Sequence, residues 1–100
     1  MNPQNASNDY QSVALEVAEI VSRKNHDYGD SFHDSYSRFG DLSSVIRLTD
    51  KIKRLETLMT HEARVVNESI EDVYRDIAGY AILSLVSRRR MELNKNKGDF

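Results

Sequence analysis

The sequence contains no cysteine, no tryptophan and a single proline, Pro3. Without cysteine, the chain can form neither a disulfide nor a thiolate metal site. With its only proline at position 3, nothing later in the chain has to interrupt a helix. No apolar run approaches the roughly 20 residues that span a bilayer, so we expect no membrane partner.

The chain also lacks a large excess of charge of either sign. The formal net charge is −2, from 14 basic and 16 acidic residues. A protein dedicated to duplex DNA carries a strong basic excess, so we do not expect duplex DNA as a partner. Residues Met1 to Asn5 do not combine a basic region with an apolar one. We therefore expect no signal peptide and a cytoplasmic location.

The length fits one domain. One hundred residues predict a single helical domain, 1–100, in which about 1–7 and 94–100 are expected to be flexible. A chain this short buries only about 60–65% of its unfolded surface, so its core is thin. Association of copies is a common remedy, and we expect a homo-oligomer, a dimer or higher.

Apolar residues recur at steps of three and four in three segments, which predicts an all-α fold. The first helix is expected from Asp9 to Lys24 and the second from Leu42 to Met59, with Asp41 as its cap. The third is expected to open at Ser69 with a capping box that includes Asp72. A short helix is expected in the 25–41 stretch, where Phe32, Tyr36 and Phe39 could share one side. The fold class is therefore a compact helical bundle of three long helices plus a short one, in an oligomer.

Two of these helices should pack through apolar faces. On the second helix, the spacing predicts a packing seam. On the third, it predicts a buried side. The seam is Val45, Leu48, Ile52, Leu55 and Met59, and the buried side is Ile70, Val73, Ile77, Tyr80 and Ala81.

An acidic pair lies on the third helix. Asp72 and Asp76 are four residues apart, so their side chains share one face and repel each other unless a cation lies between them. Mg²⁺ held by oxygen ligands would serve. The alternative is that Asp72 belongs to the capping box and Asp76 pairs with a lysine or arginine.

Two further segments could bind an anion. Arg47, Lys51 and Arg54 form a stripe of cations one turn apart, with Asp50 beside it. Such a stripe suits phosphate contacts, although it could equally be a solvated face or a set of ion pairs. The other segment is 24–30, where Lys24, Asp27, Tyr28 and Gly29 come together at the end of a helix. Gly29 permits a positive φ, and Tyr28 could stack on a base or pack into the core.

Taken together, these residues resemble a family of phage and bacterial proteins, the nucleotide modification associated domain 1 family. The resemblance covers about Lys24 to Leu85 in three blocks. They comprise Lys24, Asp27, Tyr28 and Gly29; Arg47, Asp50, Lys51 and Arg54; and Glu68, Ser69, Asp72, Asp76 and Tyr80. The resemblance implies a link to phage nucleotide metabolism or DNA modification, within a bacterial host cell.

The third block is also similar to the last acidic helix of the MazG-like all-α nucleotide pyrophosphohydrolases, which are Mg²⁺ enzymes. Those proteins carry an E-x-x-E pair on one helix and an E-x-x-D pair on another. Here, Glu16 and Glu19 have the first spacing but lie outside the matched blocks. The helix expected to face Asp72 and Asp76 offers only Asp50.

Two functions remain open for a small-molecule nucleotide ligand, with hydrolysis as the first hypothesis and binding without catalysis as the alternative. In the first, Asp50, Asp72 and Asp76 hold Mg²⁺, and the chain cleaves a phosphoanhydride in a (deoxy)nucleoside triphosphate. In the second, an oligomeric protein without catalysis sequesters nucleotides, including cyclic nucleotide signals of host immunity. Both place the nucleotide between the second and third helices and the end of the first. The expected ligand-binding residues are Lys24, Asp27, Tyr28, Arg47, Lys51 and Arg54.

Overall fold

Four α-helices make up the protein. The computed structural model describes residues 3–60 and 69–98, and the side chains within 8–60 and 69–95. The helices are α1 (Pro3–Asp27), α2 (Ser31–Phe39), α3 (Asp41–Met59) and α4 (Ile70–Gly98). Strands are absent from these two described stretches. The predicted bundle of three long helices and a short one is confirmed.

Helix α4 is the centre of the bundle, because α1, α2 and α3 all pack against it. The predicted capping box at its start is confirmed. The Ser69 hydroxyl accepts the backbone N–H of Asp72 at 3.1 Å, and the Asp72 carboxylate accepts the backbone N–H of Ser69 at 3.3 Å. These reciprocal bonds satisfy N–H groups that a helix start leaves unpaired. Because Ser69 donates to it, with Arg75 nearby, the pKa of Asp72 lies below its usual value.

Tight turns on either side of α2 set its position. Gly29 and Asp30 both have φ of 61° between α1 and α2, as the glycine at the end of the first helix suggested. Gly40 joins α2 to α3 with φ 64° and ψ −145°, a conformation that is essentially restricted to glycine. Gly40 is therefore the cap of α3, and the prediction of Asp41 as that cap was wrong. The Asp41 carboxylate instead accepts hydrogen bonds from Tyr36 and Arg88.

Two of the predicted helix limits also change. Helix α1 begins at Pro3 instead of Asp9. Proline is common in the first turn of a helix, because the backbone N–H that it lacks would have no partner there. Helix α4 continues to Gly98, through the segment expected to be a polar tail. The expected connection 61–67, Glu68 and the last two residues lie outside the described part of the chain. Within that part, no helix has the length and apolar character needed to cross a membrane.

The hydrophobic core is small because the molecule is narrow in one direction. Its principal extents are 53 × 39 × 22 Å, and the shortest is about two helix diameters. The buried apolar side chains in the described residues are Val17, Phe32, Tyr36 and Val73. Gly79 lets α4 approach α1 closely, since a Cβ there would lie 2.9 Å from the side chain of Val21.

The predicted packing faces are only partly buried. On α4, Val73 is fully buried and Ile77 and Tyr80 are half-buried, whereas Ile70 and Ala81 are exposed. The seam on α3 is less well covered. Leu48 and Leu55 are half-buried, and Val45, Ile52 and Met59 are exposed.

One histidine links α2 to α4. The His33 ring forms a hydrogen bond with the buried Ser87 hydroxyl. Burial lowers the pKa of His33 from its ordinary value of 6.5, and the nearby Arg90 lowers it further. Asp30 and Asp34 oppose this shift, so the net direction is set by the loss of hydration.

Candidate functional site

A cavity of about 580 Å³ opens between the four helices. Its size falls within the usual range of small-molecule sites, about 300–1,000 Å³. The C-terminal part of α1, all of α2, the N-terminal half of α3 and the middle of α4 form its walls. The lining residues are Ile20, Val21, Lys24, Asn25, Tyr28, Ser31, Phe32, Ser35, Phe39, Ser43, Ile46, Arg47, Lys51, Arg75, Asp76, Gly79, Tyr80 and Leu83.

Asp76 is the only carboxylate among these lining residues, and two lysines surround it. Lys51 Nζ on α3 lies 2.8 Å from one carboxylate oxygen, and Lys24 Nζ on α1 lies 3.7 Å from the other. The side chains of Asp76 and Lys51 are both about three-quarters covered, with 25% and 27% exposure. Asp76 therefore holds cations from two different helices at one wall of the cavity.

Arg75 forms a second charged group at the edge of the cavity. Its guanidinium lies 3.0 Å from Glu16 on α1 and 3.1 Å from Asp72, and Glu71 is 3.4 Å away. Hydrogen bonding to Glu16 and the charges of all three carboxylates raise the pKa of Arg75, against the effect of its desolvation. Three carboxylates thus share this arginine, and it connects the start of α4 to α1.

Aromatic rings form another part of the wall. Tyr28 lies in the turn before α2 and Phe39 is the last residue of α2, and both are exposed to solvent while lining the cavity. Phe32 is buried, and its ring centroid lies 5.9 Å from that of Tyr80 on α4. Exposed rings beside a cavity offer flat surfaces on which a planar group can stack.

Cations outnumber carboxylates in the cavity. Lys24, Arg47 and Lys51 face a single lining carboxylate, Asp76, whereas the fourth lining cation, Arg75, is paired with three carboxylates outside the lining. Charges of one sign in a concave, partly desolvated site reinforce one another and raise the local concentration of the opposite ion. The arrangement is therefore suited to an anion that also carries a planar apolar part.

The structure brings five of the predicted residues to this cavity, namely Lys24, Tyr28, Arg47, Lys51 and Asp76. The other four are not lining residues. Asp27 is exposed at the end of α1 beside His26, Asp50 is exposed on α3, Arg54 is half-buried one turn beyond Lys51, and Asp72 is at the cap of α4. For Asp72 and Asp76, the contacts agree with the alternative to a shared Mg²⁺. Asp72 belongs to the capping box, and Asp76 pairs with lysines.

The three aspartates expected to hold Mg²⁺ are engaged differently. Asp50 is exposed and outside the cavity lining, Asp72 bonds to Ser69 and Arg75, and Asp76 bonds to Lys51. In the stretches 3–60 and 69–98, no three carboxylates or imidazoles are grouped as metal ligands would be. Mg²⁺ takes oxygen ligands at about 2.0–2.1 Å and usually combines one or two carboxylates with water and substrate phosphate.

Sequence patterns missed two residues of the site. Arg75 was overlooked, although its spacing of three from Asp72 and four from Glu71 is typical of helical ion pairs. Phe39 was assigned to one side of the short helix, but nothing in the sequence indicated that this side ends at a cavity. That both residues lie at the cavity follows only from the packing of α4 and α2 beside α1.

Comparison with known proteins identifies a family that matches most of the region forming the cavity. A sequence model described as Nucleotide modification associated domain 1 matches residues 24–87, more than half of the chain. The matched region includes every cavity residue except Ile20 and Val21. Neither the curated proteins nor the solved structures provide a match.

Proposed function

The chain belongs to the nucleotide modification associated domain 1 family, and we propose that its four-helix cavity binds a nucleotide. The observation that carries this proposal is the excess of cations over carboxylates in the cavity lining. A nucleotide joins a polyanion to a planar ring, and the cavity offers cations beside exposed aromatic side chains.

The phosphates would be held by Lys24, Arg47 and Lys51. Arginine gives paired hydrogen bonds to phosphate oxygens, and lysine gives a compact point charge. Lys24 and Lys51 are both within 4 Å of Asp76, so they already converge on one place. An incoming phosphate would replace Asp76 as the group that they contact. The base would stack on Tyr28 or Phe39.

Binding without turnover is the form of this function that the geometry favours. Hydrolysis assisted by Mg²⁺ would need at least one carboxylate available to the metal, and Asp76, the only carboxylate in the cavity lining, is paired with Lys51 and Lys24. A protein that binds without cleaving would sequester its ligand, as a sponge for nucleotides or for cyclic nucleotide signals does.

Pyrophosphohydrolysis is the second candidate, and one observation favours it. Asp76 lies in the cavity beside the two lysines, where the phosphates are proposed to bind, and Asp72 is one turn away on the same helix. If the ion pairs of both aspartates open when a nucleotide enters, the two carboxylates could accept Mg²⁺. Asp50, the third residue expected for this site, lies on α3 outside the lining.

One experiment separates these functions. The protein is incubated with nucleoside triphosphates, deoxynucleoside triphosphates and cyclic nucleotides, with Mg²⁺ and with a chelator. Binding is measured by calorimetry, and the recovered nucleotide is analysed by chromatography and mass spectrometry. We expect metal-independent binding and intact ligand. Release of a monophosphate and pyrophosphate only with Mg²⁺ would establish hydrolysis, and no binding in any condition would refute the proposal.

A further inference from the structure

The cavity has two exposed aromatic rings, separated along the chain by helix α2. Tyr28 lies in the turn before this helix and is 69% exposed, and Phe39 is its last residue and is 63% exposed. Because α2 has nine residues, its first and last residues are about 12 Å apart along the axis. Two rings that stack on the two faces of one base are only about 7–8 Å apart. The spacing of the two rings therefore suits two bases better than one.

A serine hydroxyl accompanies each ring. Ser31 follows Tyr28 by three residues, Ser35 and Ser43 are each four residues from Phe39, and all three serines line the cavity. Ser43 is only 8% exposed, and its side chain forms no hydrogen bond within residues 8–60 and 69–95. Its hydroxyl is not fully enclosed, so it opens on the cavity. Hydroxyl groups placed in this way fix the orientation of a small ligand by hydrogen bonding to it.

The cations of the cavity form a continuous series from one ring to the other. Lys24 is one turn before Tyr28 on α1, and it shares a carboxylate with Lys51 on α3. On α3, Lys51, Arg47 and Ser43 are spaced by one turn each, which leads back to the second ring. Arg47 forms no ion pair with another described residue. Phosphate bound along this series has an aromatic ring and a hydroxyl group on either side.

We propose that the cavity takes two nucleosides joined by phosphate, with one base on Tyr28, the other on Phe39 and a hydrogen bond to Ser43. This proposal rests on the proposed nucleotide binding and adds to it the number of bases. A free dinucleotide, linear or cyclic, agrees better with the chain than a long single strand of nucleic acid. The formal net charge of −2 provides no general excess of cations along which such a strand would lie.

Calorimetry of the full chain, with a chelator present, tests the number of bases. The probes are nucleoside monophosphates, cyclic mononucleotides, linear dinucleotides and cyclic dinucleotides, each with adenine, guanine, cytosine or uracil. At least one dinucleotide should bind roughly five- to a hundredfold more tightly than the mononucleotides of the same base, because it gains a second stacked ring. A mononucleotide that binds as tightly as the best dinucleotide would overturn this inference and leave nucleotide binding intact. No binding by any probe would refute both.

Single-stranded decamers of the same bases separate the two sources of this chemistry. A decamer should bind no more tightly than the linear dinucleotide. Affinity that rises with the length of the strand would assign the site to nucleic acid and overturn the inference.

Leucine variants test whether each ring holds its own base. Tyr28→Leu and Phe39→Leu should each weaken the best dinucleotide roughly five- to a hundredfold, and the double variant should multiply the two losses. A mononucleotide should lose no more than one such factor in the double variant. Ser43→Ala should weaken the dinucleotide about two- to tenfold. Tyr10→Leu, at an exposed tyrosine outside the cavity lining, is the matched control and should change neither affinity.

Circular dichroism verifies that these variants remain helical, which is expected because both rings are exposed. A double variant that binds the dinucleotide as tightly as either single variant would show that only one base is stacked, and it would overturn the inference.

Discussion

Removing the charge of Asp76 gives the sharpest test of what the cavity does. In the free protein this carboxylate lies 2.8 Å from Lys51 and 3.7 Å from Lys24, so it competes with any phosphate for the same two cations. Asp76→Asn keeps the size of the side chain and removes its charge. If the cavity binds phosphate through its cations, this variant should bind nucleotide more tightly than the wild type.

The size of the effect follows from Coulomb's law. A phosphate contacting both lysines at hydrogen-bond distance would lie about 5 Å from the Asp76 carboxylate. Asp76 is three-quarters covered, so an effective dielectric constant of roughly 20 to 80 applies, and the repulsion is about 1–3 kcal/mol. The affinity should rise roughly five- to a hundredfold without metal. Calorimetric titration in the presence of a chelator measures this directly.

Asp27→Asn is the matched control for this experiment. It makes the same chemical change at an exposed carboxylate of α1 that does not line the cavity, and it should alter the affinity by less than about twofold because exposed charges are screened. Weaker binding by Asp76→Asn, with the fold intact, would refute the reasoning. Loss of a Mg²⁺-dependent turnover in that variant would instead indicate that Asp76 is a metal ligand.

Three further perturbations test the fold around the site. Ser69→Ala removes the cap of α4 and should lower the free energy of unfolding by about 1 kcal/mol in urea titrations, whereas Ser22→Ala, at an exposed position inside α1, should not. Gly79→Ala places a methyl group 2.9 Å from the side chain of Val21, so it should lower the melting temperature and weaken nucleotide binding together. The free energy of unfolding should decline as the pH falls below about 6.5. In the unfolded chain His33 is protonated in this range, whereas its lowered pKa keeps it neutral in the folded protein, so acid favours the unfolded state. His33→Gln should remove this decline in urea titrations at pH 7.5 and 5.5, and an unchanged decline would contradict the assigned cause.

The sequence indicated the helices well because their signals are local. The capping box of Ser69 and Asp72 and the apolar spacing of α3 involve residues within one or two turns, and the structure contains both features. The start of α1 was less accessible. Its first residues, from Pro3, carry no apolar pattern, so periodicity could not identify them as helical.

The site was only partly predictable because it depends on how helices pack. Lys51 and Asp76 were expected on the two helices that flank the nucleotide, and they form an ion pair. Asp50 and Arg54 lie on the same helix as Lys51 but outside the cavity lining. Asp50 points about 100° away from Lys51 around the helix, and Arg54 lies almost one turn beyond it. Arg75 joins Glu16 across 59 residues of sequence, which no local pattern indicates. The homo-oligomer and the nucleotide ligand stay predictions.

Nuclear magnetic resonance titration tests the central claim most directly, because it locates the ligand on the chain. The uniformly ¹⁵N-labelled protein is titrated with a nucleoside triphosphate or a cyclic nucleotide that binds in calorimetry, with a chelator present. We predict that the largest amide shifts occur at cavity residues, at Lys24, Tyr28, Arg47, Lys51 and Asp76, and that the outer side of α3 at Thr49 and Lys53 is unaffected. Shifts confined to residues outside the cavity, or no shift at any nucleotide concentration, would contradict the account.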